Sequence, residues 1–157
     1  MRIIVFVGLP GAGKSTKAKE FESQGYVVHS PDAIRNKYNL HKKEDINEVL
    51  SILNNNLIND LQQGKDIIYD STNLTATRRR TILEMIPEGY EKICEVFITS
   101  IDMCKSRNAN RVGYSKITET EYRLMINSYH FPTSDEGWDK IVLYNQDEKV
   151  IFEDDAL

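Results

Sequence analysis

Nine residues near the N-terminus, from Gly8 to Thr16, form the pattern with the most specific chemistry in the sequence. They read GLPGAGKST, which matches the pattern G-x-x-x-x-G-K-[ST]. Glycines allow the backbone to turn with its N–H groups pointing inward, so that successive amides cradle the phosphates of a nucleotide. In such a loop Lys14 reaches the β- and γ-phosphates, and the hydroxyl of Ser15 is a ligand of Mg²⁺. The pattern therefore predicts a site for a nucleoside triphosphate with Mg²⁺.

The segments on both sides of this loop are those that a phosphate-binding loop requires. The apolar residues 3–7 predict a buried strand before it, and residues 15–24 predict a helix after it that ends at Gly25. The helix N-terminus adds a favourable dipole for an anion. The alternative, a glycine turn with a surface lysine, leaves this flanking pattern unexplained. We expect the nucleotide to be bound by Gly8, Pro10, Gly11, Ala12, Gly13, Lys14, Ser15 and Thr16.

Charged side chains follow the next predicted strand, at the edge where parallel sheets bind ligands. Asp32 and Arg35 stand three residues apart and share one face of a helix that begins at Ser30 and Pro31. A carboxylate there can take the proton from an attacking hydroxyl, and an arginine can hold a phosphate of the acceptor. The same spacing also fits a first-turn acid with an exposed ion pair. The pair alone leaves both interpretations open.

Two further groups suit a phosphate site. Asp70 ends the third predicted strand, where a carboxylate can hold a metal-bound water or the Ser15 hydroxyl, although a helix N-cap or an Asx turn is the alternative. Arg107 and Arg111 stand four residues apart beside a loop that contains Gly113. Paired arginines there suit a lid, at about residues 107–117, that closes over the triphosphate.

The elements that must position these groups alternate along the chain. Short apolar runs predict strands, after the first, at residues 26–29, 66–70, 93–98 and 140–144. Helical patterns fall between them, the clearest over residues 44–63 with Gly64 at its end. Such alternation predicts an α/β fold in which a parallel sheet lies between layers of helices. The acidic residues 153–155 are expected to be a solvated tail.

Composition narrows the classes of function. With 157 residues, of which 40% are hydrophobic and 28% charged, we expect residues 1–157 to form one domain. The net charge of −4 means that the chain as a whole does not attract long nucleic acids, so any nucleic acid would be bound locally. Cys94 and Cys104 have no metal-ligand spacing and predict no disulfide. We expect a cytoplasmic protein with no membrane segment, because residues 2–7 are too short to span a bilayer.

The motifs together resemble the polynucleotide 5′-hydroxyl kinases, in particular the kinase modules of phage and bacterial nucleic-acid repair enzymes. The resemblance reaches from the N-terminus to about Tyr144. The stretches that carry it are, in order, the phosphate loop, Asp32-x-x-Arg35, Asp70-Ser71-Thr72-Asn73-Leu74 with Arg78-Arg79, and Arg107-Asn108-x-x-Arg111. It implies a three-layer P-loop NTPase fold, with a five-stranded parallel sheet in the order 2-3-1-4-5 and a small helical lid.

The resemblance also implies a role for each matching residue. Asp32 would be the general base on the 5′-hydroxyl, and Arg35 would bind the neighbouring phosphate of the acceptor. Lys14 and Ser15 would hold ATP and Mg²⁺, while Arg111 would clamp the donor phosphates and complete the catalytic set with Asp32 and Lys14. The remaining contacts expected from the motifs are Arg107 with the donor, Asp70 with the metal, and Asn73 and Arg78 with the acceptor.

The implied reaction is transfer of the γ-phosphoryl group of ATP to the 5′-hydroxyl of a DNA or RNA end. Phage-type relatives have the acid directly before the Thr-Asn pair, whereas Ser71 separates it from that pair here, a spacing that many bacterial relatives share. Two alternatives stay open: a P-loop kinase for a small metabolite, nucleoside or aminoacyl-tRNA, and a regulatory NTPase with no acceptor. The Asp32–Arg35 pair favours an acceptor, because a hydrolase does not need a phosphate contact beside its base.

Overall fold

A sheet of five parallel strands forms the centre of the computed structural model, which describes residues 1–145 and 150–155. The central strand is buried on both faces, with Ile3 to Val7 no more than 3% exposed. The strands lie in the order β2-β3-β1-β4-β5, so the predicted topology is confirmed. Their bounds are β1 Arg2–Val7, β2 Val27–His29, β3 Ile67–Tyr69, β4 Glu91–Phe97 and β5 Lys140–Tyr144.

Six α-helices connect and cover the strands in the described part of the chain. Their starts follow local chemistry: Ser30 accepts a hydrogen bond from the backbone of Ala33 and has Pro31 at the first helical position. None of these helices is long and apolar enough to cross a membrane. Their bounds are α1 Lys14–Ser23, α2 Pro31–Tyr38, α3 Ile46–Gln62, α4 Ala76–Leu83, α5 Ile101–Ala109 and α6 Glu119–Ser128.

A sixth strand, β6 (Val150–Asp155), extends the sheet beside β5. It runs antiparallel, with Lys140 opposite Asp155 and Tyr144 opposite Val150. The sequence does not predict it, because Glu and Asp have low strand propensity and the run looks like a solvated tail. Pairing with the edge of β5 provides hydrogen bonds to its backbone, and the side-chain pattern does not predict this pairing.

The topology brings four loops to one edge of the sheet. Because β1 to β4 are parallel, the segments after their carboxyl ends lie together, as ligand sites in open α/β sheets do. These segments are the phosphate loop after β1, the start of α2 after β2, residues 70–75 after β3 and residues 98–100 after β4. Backbone bonds join them, since Gly8 donates to the carbonyl of Thr72 and Asp70 donates to that of His29.

One carboxyl group lies inside the core. Glu95 on β4 is 4% exposed and stands opposite Phe6 of β1. Tyr144 donates a hydrogen bond to its Oε1 at 3.2 Å, while Oε2 has no hydrogen-bond partner among the described residues. Burial raises the pKa of Glu95 to about 7, although the Tyr144 hydroxyl and the charges of Lys17 and Lys140 act in the opposite direction. The carboxylate form therefore destabilises the fold.

This burial predicts a stabilising substitution. Because the folded-state pKa lies above the usual value of 4.5, stability is highest below pH 4.5 and falls as the pH rises through about 7. We expect Glu95→Gln to raise the free energy of unfolding at pH 8 by up to about 3 kcal/mol, and by about 1 kcal/mol or less at pH 5. Urea denaturation at the two pH values measures this. Glu91→Gln, at the partly exposed start of the same strand, is the control, and a pH-independent effect of Glu95→Gln would contradict the assignment.

Candidate active site

The phosphate loop is held in its shape by two left-handed glycines and a close neighbour. Gly11 and Gly13 have φ values of 87° and 105°, which L side chains rarely adopt. A Cβ at Gly11 would also lie 2.6 Å from the carbonyl oxygen of Cys104 on α5. Gly13 caps α1 without any side-chain hydrogen bond, so the first amides of the helix stay available to an anion.

Lys14 places a buried amine inside this loop. Its side chain is 8% exposed, and Nζ donates to the carbonyls of Gly8 at 2.9 Å and Leu9 at 2.8 Å. Burial lowers the pKa of Lys14 to about 8, although the nearby charges of Asp70 and Asp32 raise it. The charge of Lys14 is therefore only partly compensated by the loop, and an incoming anion would stabilise its charged form.

Ser15 and Asp70 form the pair expected at a magnesium site. Ser15 Oγ donates to Asp70 Oδ2 at 3.3 Å. Burial raises the pKa of Asp70, while Lys14 and the Ser15 hydrogen bond lower it. In residues 1–145, no cluster of three or more His, Cys, Asp or Glu could hold a metal alone. The pair thus fits Mg²⁺, which binds one or two protein oxygens and takes its other ligands from waters and substrate phosphates.

Two cavities meet at these residues. The first, of about 360 Å³, is called the donor cavity here and is lined by Gly11, Gly13, Lys14, Ser15, Thr16, Arg107 and Arg111. Arg107 approaches the loop directly, since its Nη1 donates to the carbonyl of Gly11 at 3.0 Å. The second, of about 550 Å³, is called the acceptor cavity and shares Lys14, Ser15 and Arg111 with the first. This junction is where a group could pass from one ligand to another.

The acceptor cavity contains the Asp32–Arg35 pair. Both side chains line it, so the sequence pair lies together and faces the phosphate loop. Asp32 lines the same cavity as Lys14 and Ser15, and its charge contributes to raising the pKa values of both Lys14 and Asp70. Arg35 Nη1 donates to the carbonyl of Leu40 at 2.9 Å and so borders the cavity from the end of α2.

Arg78 and Asn73, the other expected acceptor contacts, differ in position. Arg78 lines the acceptor cavity, and its Nη2 donates to the hydroxyl of Tyr69 at 2.8 Å. Asn73 lines neither cavity and is 1% exposed. Its Nδ2 donates to the carbonyl of Phe6 at 2.7 Å, so the side chain ties the loop after β3 to β1. Asn73 thus holds the loop after β3 against β1, and we do not propose it as an acceptor ligand.

A buried ion pair that sequence reasoning misses supports the same loop. Arg79 is 0% exposed and binds Glu136 through two bonds, of 2.8 Å from Nε and 2.7 Å from Nη2. Its Nη1 also donates to the carbonyl of Asn73 at 3.0 Å. Burial raises the pKa of Glu136, but hydrogen bonds from Arg79 and Trp138 lower it below the usual value. Arg79 therefore fixes the segment between Asp70 and Arg78.

Tyr122 is a second supporting residue that the sequence does not reveal. It is 1% exposed on α6, and its hydroxyl donates to the carbonyl of Pro10 in the phosphate loop. The same hydroxyl lies 3.2 Å from the carbonyl of Cys104 on α5. A single phenol thus joins the loop to both helices that follow β4. Helical spacing alone predicts only that such a tyrosine is buried.

Comparison with known proteins places the fold. The family model described as AAA domain matches residues 3–132. No curated protein matches the chain. Solved structures of similar fold include the PezAT chromosomal toxin–antitoxin system of Streptococcus pneumoniae, at 18% identity over 97% of this chain and 70% of that chain, with a TM-score of 0.71. A sugar kinase from Janibacter sp. HTCC2649 has 18% identity over 95% of this chain and 87% of that chain, with a TM-score of 0.68.

A chain of the Pnkp1/Rnl/Hen1 complex is also similar, at 21% identity over 76% of this chain and 43% of that chain, with a TM-score of 0.61. At these identities the likeness concerns the fold alone. The three-layer P-loop fold predicted from the sequence is confirmed. The polynucleotide kinase type within it stays a prediction.

The buried pair predicts a large loss of stability. In Glu136→Gln the guanidinium of Arg79 stays buried without its anion, so we expect the free energy of unfolding to fall by about 3 kcal/mol. Glu91→Gln is the matched control, because Glu91 binds Arg2 at 2.7 Å with 42% and 56% of the two side chains exposed. Such exposed pairs contribute about 1 kcal/mol or less. Urea denaturation of both variants measures the difference, and equal losses would contradict the assignment.

Proposed function

The chain belongs to the AAA domain family, and on that premise we propose that it transfers the γ-phosphoryl group of ATP to an alcohol. The acceptor that we favour is the 5′-hydroxyl of a DNA or RNA end. The observation that carries the proposal is the junction of the donor and acceptor cavities at Lys14, Ser15 and Arg111. A phosphate bound in the loop would face the acceptor cavity across these three side chains.

The donor side supplies positioning and positive charge, which phosphoryl transfer needs more than covalent help. The loop amides and Lys14 bind the phosphates, while Arg107 and Arg111 border the same cavity from the lid segment at about residues 107–117. Ser15 and Asp70 would hold Mg²⁺. When bound, the ion neutralises charge on the transferred group.

The acceptor side supplies a base and a phosphate contact. The Asp32 carboxylate lies near the junction and would orient the attacking hydroxyl and take its proton. Arg35 and Arg78 would bind the phosphate next to that hydroxyl, because guanidinium groups match phosphate oxygens in geometry and charge. Lys42 and Lys43 also line this cavity, where Glu121 is an opposing charge. In a chain of net charge −4, this local excess of cations favours an acceptor that carries phosphate.

A kinase for a small metabolite is the second candidate. The acceptor cavity of about 550 Å³ is in the size range of small-molecule sites. A panel of acceptors with labelled ATP separates the two: we expect label on oligonucleotides with a 5′-hydroxyl and none on 5′-phosphorylated controls. Label on a sugar or nucleoside alone would overturn the nucleic-acid proposal. Release of inorganic phosphate with no labelled acceptor would indicate the regulatory NTPase instead.

The proposed base gives a direct prediction. Asp32→Asn keeps the side-chain shape but cannot accept the proton, so we expect turnover to fall by about 10²- to 10⁴-fold with little change in nucleotide binding. Asp102→Asn is the matched control, because Asp102 also follows a Ser-capped helix start, at α5, and is exposed. Initial rates and nucleotide titration measure both effects. Near wild-type turnover of Asp32→Asn would show that another group accepts the proton.

The pKa of Lys14 predicts a proton uptake on binding. At pH 8 about half of the Lys14 amines are neutral, since their pKa is about 8. Phosphates favour the charged form, so ADP with Mg²⁺ should bind with uptake of up to about half a proton at pH 8 and less at pH 6.5. Affinity should therefore fall as the pH rises above 8. Calorimetry in buffers of different ionisation enthalpy measures the uptake, which Lys14→Arg should abolish. If Lys14→Arg takes up the same proton, another group is responsible.

A further inference from the structure

Two aromatic rings from distant parts of the chain stack on each other at the acceptor cavity. His41 lies in the loop after α2, and Tyr114 lies in the short 3₁₀ turn Gly113–Ser115. Their ring centroids are 4.0 Å apart with an angle of 5° between the planes. Both side chains line the acceptor cavity, yet Tyr114 is 78% exposed. The stack therefore joins two loops at the wall of this cavity, and its Tyr114 ring is largely exposed to solvent.

On the acceptor side, Arg35 holds the loop that carries His41. Its Nη1 donates to the carbonyl of Leu40 at 2.9 Å and lies 3.4 Å from that of Lys42. These two carbonyls belong to the residues directly before and after His41. The guanidinium that we propose for the acceptor phosphate is thus also the group that orders this loop.

On the donor side, the lid segment is anchored at its base. The Asn108 side chain exchanges two hydrogen bonds with the backbone of Ile117, at 2.7 and 2.8 Å. Arg111 Nη1 lies 3.4 Å from the carbonyl of Ser115, the residue after Tyr114. Arg111, which lines both cavities, therefore contacts the residue next to one stacked ring, and Arg35 of the acceptor cavity contacts the residues next to the other.

We propose that His41 and Tyr114 are positioning residues whose stack closes the lid over the acceptor cavity and couples acceptor binding to donor binding. This rests on the proposed function, because the coupling needs both ligands. A donor whose phosphates contact Arg111 fixes the lid, and the lid presents Tyr114 to His41. The acceptor then meets a loop that is already ordered. Less conformational freedom of the loop is then lost when the acceptor binds, and by linkage the acceptor favours donor binding to the same extent.

The size of the effect follows from the contact. An aromatic pair contributes enough beyond its buried area to change an equilibrium by about two- to tenfold. We therefore expect Tyr114→Ala and His41→Ala each to open the lid by a factor in this range. The double variant should lose no more than either single variant, because both remove the same contact. Tyr114→Phe keeps the ring and should behave as the wild type.

Limited proteolysis of the free protein tests lid closure without any substrate. Trypsin cleaves after Arg111 and Lys116, on both sides of Tyr114. We expect cleavage in this segment to be about two- to tenfold faster in Tyr114→Ala and unchanged in Tyr114→Phe. Tyr38→Ala is the control, because Tyr38 is an exposed tyrosine on α2 that does not line the cavity. Equal cleavage of Tyr114→Ala and wild type would overturn the role of the stack.

Equilibrium binding tests the coupling. The dissociation constant of ADP with Mg²⁺ is measured with and without a saturating oligonucleotide that has a 5′-hydroxyl. We expect the oligonucleotide to tighten ADP binding in the wild type, Tyr114→Phe and Tyr38→Ala, and the tightening to be lost in Tyr114→Ala and His41→Ala. In the same alanine variants the KM for the acceptor should rise about two- to tenfold, and the KM for ATP at saturating acceptor should rise by a similar factor because the coupling is reciprocal.

The outcomes separate this inference from the proposed function. If the wild type phosphorylates no oligonucleotide, the proposed acceptor is wrong, and the proteolysis result still decides whether the stack closes the lid. If the wild type phosphorylates oligonucleotides but Tyr114→Ala keeps the coupling, the proposed function stands and the coupling is overturned.

Discussion

The buried amine of Lys14 is the constraint on which the rest of the site depends. An ammonium group loses several kcal/mol when it leaves water without partners, so the fold must surround it with oxygen atoms. The carbonyls of Gly8 and Leu9 do this only because the loop turns through the left-handed Gly11 and Gly13. Position 11 accepts only glycine, because a Cβ there would lie 2.6 Å from the carbonyl oxygen of Cys104 on α5, and the Tyr122 hydroxyl binds the loop at Pro10. The environment of the Lys14 amine therefore depends on the loop after β1 and on α5 and α6, the two helices that follow β4.

The structure buries a second cation, and the difference between the two explains their roles. Arg79 has a bidentate carboxylate partner and a backbone carbonyl, so its charge is compensated inside the fold, and at 0% exposure the side chain is out of reach of a ligand. Burial lowers the pKa of Lys14 to about 8, because its partners are two neutral carbonyls and its neighbouring carboxylates raise the pKa only in part. Guanidinium stays charged at all working pH values, which suits a permanent support. An amine with a lowered pKa is instead stabilised in its protonated form by an anion bound beside it. Charge compensation within the fold thus distinguishes Arg79, a structural cation, from Lys14, which we propose as a phosphate ligand.

The parts of the site that the sequence predicts are those whose chemistry is local. The phosphate loop and the Asp32–Arg35 spacing each lie within one turn or one helix, so residue type and spacing are sufficient to place them. Asn73 shows the limit, because a polar loop has the same composition whether its amide faces a ligand or the backbone of β1. Arg79 and Glu136 lie 57 positions apart, and His41 and Tyr114 meet only through the lid. Such contacts depend on strand order and register, which no single stretch encodes.

The charge of the acceptor cavity can be weighed against the charge of the whole chain. A protein of net charge −4 repels polyanions at long range, so local cations attract a phosphate-bearing acceptor only within a Debye length of about 8 Å. Inside that range Arg35 and Arg78 already have partners, a backbone carbonyl for the first and the Tyr69 hydroxyl for the second. A neutral sugar could offer these two arginines only hydrogen bonds to uncharged oxygens, like those that they already make. A phosphate would add an oppositely charged and often bidentate partner to a guanidinium that has five N–H donors, so the loop contacts of Arg35 could be kept. This difference in charge at Arg35 and Arg78 is the reason that we propose an anionic acceptor.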